Sequence, residues 1–338
     1  MTTARVRLKD IAEIAKVSRA AVSRVLLGTG AGRIRVGKEK AELIMKIAKE
    51  MNFSPDTSAQ MLKGKSSKII GVLIDSYTPQ IRFNVLSVVE KILAKKGFRM
   101  IIGQTHDNYQ NFKTYIEDFA SRRTDGIICF AHEYPGFNIS KDLDNFKNVV
   151  YVGKPEHENA NYVAIDIENG MVKLLNHLKN SGKKRIGLLY SNYECYSNYQ
   201  RMEGFKRGLL ENDLEFDENL IFRCPSCPEA KHYQEAIEIL VNKQKVDTIV
   251  AGNDHLAVKL IKQLKKLNYD IPKDIAVTGF DNLDIAEIIE PELTTIDQQR
   301  QIQGNQIANM ILDMIKKTKE DTSQQIYIEP KLIVRDSA

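Results

Sequence analysis

The sequence predicts an all-α helix-turn-helix head followed by an α/β core of two doubly wound parallel-sheet subdomains. Three observations carry this. Two short apolar helical stripes are joined by a tight turn between Leu8 and Leu26. From Ile69 onward, short apolar runs alternate with amphipathic helical ones. The charge is also uneven: residues 1–68 hold 15 Lys/Arg against 6 Asp/Glu, a net +9, whereas the remainder nets −4. A basic head on a mildly acidic body fits a phosphate-binding module joined to a part that need not touch nucleic acid. A merely solvated basic surface is the alternative reading of the same charge.

In the stretch LKDIAEIAKVSRAAVSRVL, residues 8–26, Ile11, Ala12 and Ala15 share one helical face. Val22, Val25 and Leu26 share another, with Val17 at the corner between them. Ser18 stands at the N-cap of the second helix, where its hydroxyl can accept from backbone N–H groups. Arg19, Ala20, Ser23 and Arg24 then face outward. Arginine can bridge guanine O6 and N7 in the major groove while small residues allow close approach, so this face suits base reading. A surface helical hairpin with a solvated polar face matches the same residues.

Residues 28–37, GTGAGRIRVG, read as a flexible loop. Ala41, Ile44, Met45, Ala48 and Met51 recur at helical spacing and predict a third helix that closes a small core, with Phe53 capping it. Ser54-Pro55 ends that helix. DTSAQML, residues 56–62, is a plain linker or a segment that becomes helical only on DNA, offering Leu62 as an apolar wedge for the minor groove.

Strands are expected at 69–74, 99–102, 126–130, 149–152 and 162–165, then at 185–190, 220–222, 248–251 and 275–278. The intervening helices fall near 80–96, 110–122, 139–146 and 168–180, then near 198–212, 229–242, 254–267 and 298–317. Alternation of this kind implies βαβ units and parallel sheets covered on both faces. Ligands bind beyond the carboxyl ends of such strands, and two facing sheets enclose a cleft. The loops there carry Tyr77, Tyr134, Tyr193, Tyr196, Arg201, Asp254, Phe280 and Asp281, aromatic faces with carboxylates and an arginine suited to a polar ring such as a sugar.

With 338 residues, 43% hydrophobic and 28% charged, the chain fits about two folded domains rather than a disordered one. No apolar run reaches the roughly 18–20 residues that a bilayer span needs, and MTTARVRLKD has no apolar signal region. The expectation is a cytoplasmic protein with no membrane partner. Cys129, Cys195, Cys224 and Cys227 are too sparse for a disulfide framework. The Cys224-Pro-Ser-Cys227 pair lacks a second CxxC, so free thiols are expected there and no metal site. No phosphate-cradling glycine loop or nucleophile elbow occurs, which argues against an enzyme, and no cofactor is expected.

The order of head, hinge and twin subdomains resembles the lactose-repressor/galactose-repressor (LacI/GalR) family of transcription regulators, from about Leu8 to Arg335. The head stretch above, VGKEKAELIMKIAKEMNFSPD and AQMLK carry the likeness most specifically. IIGVLI at 69, RRTDGIIC at 122, RMEGF at 201, GNDHLAVKLI at 252, DIPKDIAVTGFDN at 270 and PELTTIDQ at 291 follow in order. The resemblance implies a periplasmic-binding-protein-like core. It also implies a head at 1–54, a hinge and linker at 55–68, and a core at 69–338. Its N-subdomain would hold about 69–165 and 280–297, and its C-subdomain about 166–279 and 298–338. Arg19, Ala20 and Arg24, with Ser18 and Ser23 beside them, would read DNA, and Leu62 and Lys63 would act in the hinge. Arg201, Asn253, Asp281 and Gln298 would contact an effector, together with Tyr77, Tyr196, Asp254 and Phe280 from the cleft loops. The function implied is that of a homodimeric repressor whose affinity for a palindromic operator is set by a small ligand, a sugar or related metabolite. The competing reading is a solute-binding protein with no DNA role. Lys16 stands where relatives usually have glycine, so a non-glycine residue has to accept a left-handed conformation. Gly37 replaces a serine N-cap, Ala21 a phosphate-touching threonine, and Gly153 an acidic cleft residue.

Overall fold

A computed structural model describes residues 6–27, 35–53, 66–75, 80–130, 134, 137–193, 195–316 and 323–338. The chain divides into two compact units, Met1–Ser67 and Lys68–Ala338.

The first unit contains three helices, α1 (Leu8–Ile14), α2 (Arg19–Leu27) and α3 (Lys38–Glu50). Ile11, Ala12, Ala15, Val22, Ile44, Ile47 and Ala48 form its core, with Val17, Val25, Leu26, Met51 and Phe53 partly buried against them. Met45, expected inside, is 50% exposed, and Ile47 takes the inward position instead. The inward seam of α3 runs through residues 44, 47, 48 and 51 and is narrower than the stripe expected. Lys16 has φ +50°. Its N–H donates to Glu13 O at 3.3 Å and that of Val17 donates to Ala12 O at 3.0 Å. These are the two bonds of a Schellman stop, in which a left-handed residue lets the last carbonyls of α1 be satisfied. Ser18 Oγ then accepts from Ala21 N at 3.2 Å and caps α2. Gly37 starts α3 without any side-chain cap.

In the second unit, six parallel strands form one sheet: β1 (Ile69–Ile74), β2 (Arg99–Gln104), β3 (Gly126–Cys129), β4 (Val149–Val152), β5 (Tyr162–Ile165) and β11 (Gln325–Ile328). Their spatial order is β11-β5-β4-β3-β1-β2. Four more form a second parallel sheet: β6 (Ile186–Ser191), β7 (Ile221–Cys224), β8 (Thr248–Ala251) and β9 (Ala276–Thr278), in the order β7-β6-β8-β9. β10 (Thr295–Asp297) and β12 (Lys331–Ile333) pair antiparallel, and a bridge from Thr278 to Thr294 carries this ribbon onto the edge of the second sheet. The covering helices are α4 (Gln80–Lys95), α5 (Tyr109–Ser121), α6 (Ile139–Leu143), α7 (Ile167–Asn180), α8 (Tyr196–Glu211), α9 (Ala230–Ala236), α10 (Asp254–Lys266), α11 (Ile285–Ile288) and α12 (Arg300–Lys316). α9 runs on into a π-helical turn, Ile237–Lys243. α7 and α8 pack backbone to backbone at Gly204, where a Cβ would lie 2.7 Å from the main chain of Glu168.

The expected halves of the core need one exchange. β11 pairs with β5, and α12 packs on α4 and on the first sheet. Residues from about 298 to 328 thus complete the first subdomain, not the second. Segment 280–297 goes the other way: Gly279 N donates to Thr294 O at 2.9 Å, and Ala286 and Leu293 belong to the core of the second sheet. Three short strands, β10 to β12, were not foreseen.

The Schellman stop yields a test. Lys16→Val places a branched side chain at φ +50° and should lower the stability of the head by roughly 1–2 kcal/mol, whereas Lys16→Gly should leave it unchanged or raise it. Calorimetric unfolding of the intact chain checks the order; equal stabilities would mean the turn is not held left-handed.

Candidate functional site

Two regions gather the residues singled out from the sequence. On the head, Ser18, Arg19, Ala20 and Arg24 are exposed and Ser23 is half-buried, all from the turn and first turns of α2. Ala21 is buried in the head, so a threonine-like phosphate contact from that side chain is not available. Leu62 and Lys63 lie outside the described residues.

In the core, a cleft of about 930 Å³ opens between the carboxyl ends of the two parallel sheets. Arg201, Asn253, Asp281 and Gln298 line it, as does Tyr196 at 44% exposure. Tyr77 lies outside the described residues. Each wall has a local cause. Arg201 is in the second turn of α8, which starts directly after β6, and its guanidinium lies 4.9 Å above the fully buried ring of Phe280. That cation–π seat holds the charge without consuming its N–H groups. Arg201 NH1 donates to Ser197 O at 3.3 Å, NH2 lies 3.7 Å from Asp281 Oδ1, and buried Nε has no partner. Asn253 caps α10, its Oδ1 accepting from Leu256 N at 2.9 Å.

Two expected contacts are corrected. Phe280 does not line the cleft but underlies Arg201. Asp254 is fully buried and turned away: its carboxylate accepts from Leu283 N at 2.7 Å and from the hydroxyl of Thr295. It is a tie between α10, the loop at 280–283 and β10. Gly279 makes room for it, since a Cβ there would collide with Asp254 Oδ1. That tie holds Asp281 in a strained conformation, φ +122°, facing the cleft. Gln298 Nε2 donates to Asp281 Oδ1 from β10's far end. Burial pushes the Asp281 carboxyl up to about 7, against the opposing pull of Arg201, and pushes Asp254 up to about 6.

The first subdomain contributes Arg82 and Thr105, which were not foreseen, and Tyr134, expected at the cleft, is buried and does not line it. Arg82, in the first turn of α4, donates to Phe130 O at 2.7 Å and lies 3.9 Å from buried Asp75. Asp75 Oδ1 accepts from Thr105 Oγ1 at 3.2 Å, which in turn accepts from the Tyr134 hydroxyl at 2.7 Å. Arg82 had a positional signal: the first helix after β1 begins at the cleft end of the sheet. Cys195 and buried Cys129 also line the cleft, while Cys224 is buried and Cys227 exposed. Among the described residues, no group of three or more His, Cys, Asp or Glu is placed to hold a metal, and no helix is long and apolar enough to cross a membrane.

A three-helix head with an exposed, arginine-bearing helix start, on a core with a polar cleft between twin parallel sheets, defines a ligand-responsive DNA-binding regulator. The family model for bacterial regulatory proteins of the lacI family matches residues 7–56, and that for a periplasmic binding protein-like domain matches 175–338. The HTH-type transcriptional repressor PurR of Erwinia tasmaniensis is 30% identical over 334 residues, covering 98% of this chain and 96% of that protein. PurR of Vibrio vulnificus is 28% identical over 98% of each. The Lac repressor bound to ONPG superposes with a TM-score of 0.84 at 20% identity, over 99% of this chain and 100% of that one. A CelR–cellobiose complex gives 0.71 at 22%, over 99% and 100%. The chain belongs to the LacI family and is a DNA-binding transcription regulator.

The buried carboxylate makes a pH prediction. The Asp281 carboxyl has a folded pKa above its unfolded value of about 3.9. The folded chain therefore binds the extra proton between about pH 4 and pH 7, and stability from this group is lost as pH rises through that window. Relative to wild type, Asp281→Asn should gain on the order of 4 kcal/mol between pH 4 and pH 8 in urea unfolding. A pH-independent difference would show that Asp281 ionises as an exposed carboxylate does.

Proposed function

We propose that this chain is a cytoplasmic, homodimeric repressor that binds a palindromic operator and is controlled by a sugar-class metabolite in the cleft, without catalysing a reaction on it. The observation that carries the ligand class is the Arg201–Asp281 pair. Their 3.7 Å separation is too long for a hydrogen bond, and both are nearly fully buried, so donor and acceptor capacity lie side by side in a desolvated wall. Adjacent hydroxyl groups of a sugar satisfy such a pair, one accepting from the guanidinium and one donating to the carboxylate. Gln200, Gln298, Gln303 and Asn253 add uncharged donors and acceptors around it. The complexes of relatives' folds with cellobiose and ONPG support the same class.

On the head, Arg19, Ala20, Ser23 and Arg24 would enter the major groove, Ser18 and Lys63 would touch the backbone, and Leu62 would pair with its twin to open a central base step. A ligand preferring one closure of the cleft would change whether the two hinges pair, and hence operator affinity. Reduction of the protein to a solute carrier leaves the +9 head without a role.

Thermal shift against a panel of mono- and disaccharides, with other polar ring metabolites such as nucleobases alongside, tests the ligand. A sugar at 100 times its dissociation constant should stabilise the chain by about 2.7 kcal/mol, and Arg201→Ala should abolish the shift. A nucleobase that shifts the transition while no sugar does would replace the sugar assignment. On DNA, Leu62→Ala should weaken specific binding far more than non-specific binding, and all binding should weaken with salt; equal loss in both modes would remove Leu62 from the groove.

A further inference from the structure

Tyr193 and Asp107 meet across the cleft. Tyr193 lies on the loop after β6, in the second subdomain, and Asp107 on the loop after β2, in the first. The Tyr193 hydroxyl donates to Asp107 Oδ1 at 3.3 Å.

Both sides of this contact are built to stay in place. The Asn198 side-chain amide, in the first turn of α8, donates to Ser191 O at 3.1 Å and to Tyr193 O at 2.8 Å, and Tyr193 N donates to Ser191 Oγ at 3.1 Å. Opposite, His106 and Asp107 both hold left-handed conformations, φ +54° and +50°, each costing a non-glycine residue roughly 1 kcal/mol. Asn108 caps α5 immediately afterwards, accepting from Gln110 N at 2.8 Å, and Asn111 Nδ2 donates to Thr105 O at 3.1 Å. Two consecutive strained residues place the Asp107 carboxylate where Tyr193 reaches it. Burial, and then the Asp107 charge, raise the Tyr193 phenol above its ordinary value, which keeps it a donor.

The place of the bond in the fold gives it leverage. The chain crosses between the subdomains after β5, after β10 and after β11, and β5 and β11 form one edge of the first sheet. β2 is the other edge. Four strand spacings, roughly 19 Å, separate β2 from β5. A bond at the β2 edge resists opening with the longest arm that the sheet offers.

We infer that Tyr193 and Asp107 form a latch that sets how closed the cleft is before any ligand arrives. Asp107 does not line the cleft, so it acts as a positioning residue: it governs ligand affinity through the population of the closed form. The effect on affinity rests on the ligand reading above; the effect on closure does not.

Closure is measured on the ligand-free full chain by double electron–electron resonance between nitroxides attached through Glu117→Cys on α5 and Glu215→Cys after α8. Cys195→Ser and Cys227→Ser remove the two accessible thiols. Tyr193→Phe keeps the ring and loses only the hydroxyl. It and Asp107→Ala should each shift the distribution to longer distances, the open population rising roughly three- to ten-fold, the worth of one hydrogen bond. The double variant should open no further, and Asp107→Asn, whose Oδ1 still accepts, should match wild type. Unchanged distances in Tyr193→Phe, or opening in Asp107→Ala alone, would overturn the latch. Because no ligand is present, that failure is distinct from a sugar panel that leaves the wild-type transition unmoved.

Discussion

The chain passes between its two parallel sheets three times, and the three passages are bonded to one another. Asp166 N donates to Ile328 O at 3.1 Å, Gln299 Nε2 donates to Glu329 O, and Lys173 Nζ donates to Pro330 O at 3.0 Å. Neither subdomain is a continuous piece of sequence: the first needs α12 and β11 returned to it from the far side of the second. Each sheet has one face with its own buried core, a further core runs continuously from the first sheet through α7 and α8 to the second, and the covalent passages lie at one edge. Such an arrangement permits a hinge motion about that edge, in which packed sheets move as bodies because close-packed cores do not deform continuously.

The wall that faces the cleft from the second subdomain is held as firmly as the hinge is free. Asp254 binds the loop at 280–283 from below, and Arg335, near the chain's end, donates to Leu293 O at 2.8 Å and to Asn282 Oδ1 at 2.9 Å from the side. Ser337 adds bonds to Thr294 N and Val277 O. These contacts keep Asp281 in a conformation its side chain disfavours and in an environment its charge disfavours. Strain and desolvation of this kind persist only where the surroundings over-determine them. They are the expected cost of presenting a carboxylate, dry and pre-oriented, to a ligand that can hydrogen-bond it.

Most of the secondary structure was legible because its signal is local. The apolar runs that became β1, β4, β5 and β8 were bounded to the residue, and most helices between them within one or two positions, although the one expected at 139–146 stops at Leu143 and the one expected at 229–242 turns π-helical from Ile237. The left-handed turn at Lys16 and the Ser18 cap were equally local. What escaped depends on partners. β10 and β12 are three residues each and mix polar with apolar side chains, so only their pairing marks them as strands. The exchange of the C-terminal segments between subdomains is invisible to periodicity, which says nothing about which sheet a strand joins. In the site, Asp254 and Asp281 are the same residue type, each three residues beyond the end of a strand. Their opposite roles follow from the direction each side chain takes, and that is set by Gly279 and Thr295 packing around the first. Arg82 escaped because it reads as the polar face of an amphipathic helix. Leu62, Lys63 and Tyr77 lie outside the described residues, and their roles stay with the resemblance.

The coupling that a regulator of this design needs is small. A change of 5- to 150-fold in operator affinity corresponds to about 1–3 kcal/mol, and a ligand supplies it only by contacting one closure state better than the other. The cleft is built to make that difference. The Arg201–Asp281 wall belongs wholly to the second subdomain. Arg82 belongs to the first subdomain and lines the cleft, held there by Phe130 O and Asp75. Binding energy realised on one wall alone would hold a ligand without shifting anything. Energy realised across both walls is what moves the equilibrium, and it acts on a closure already biased by roughly the strength of one hydrogen bond at the β2 edge. Contacts from the first subdomain, added to those of the arginine–aspartate wall, are therefore what such coupling requires.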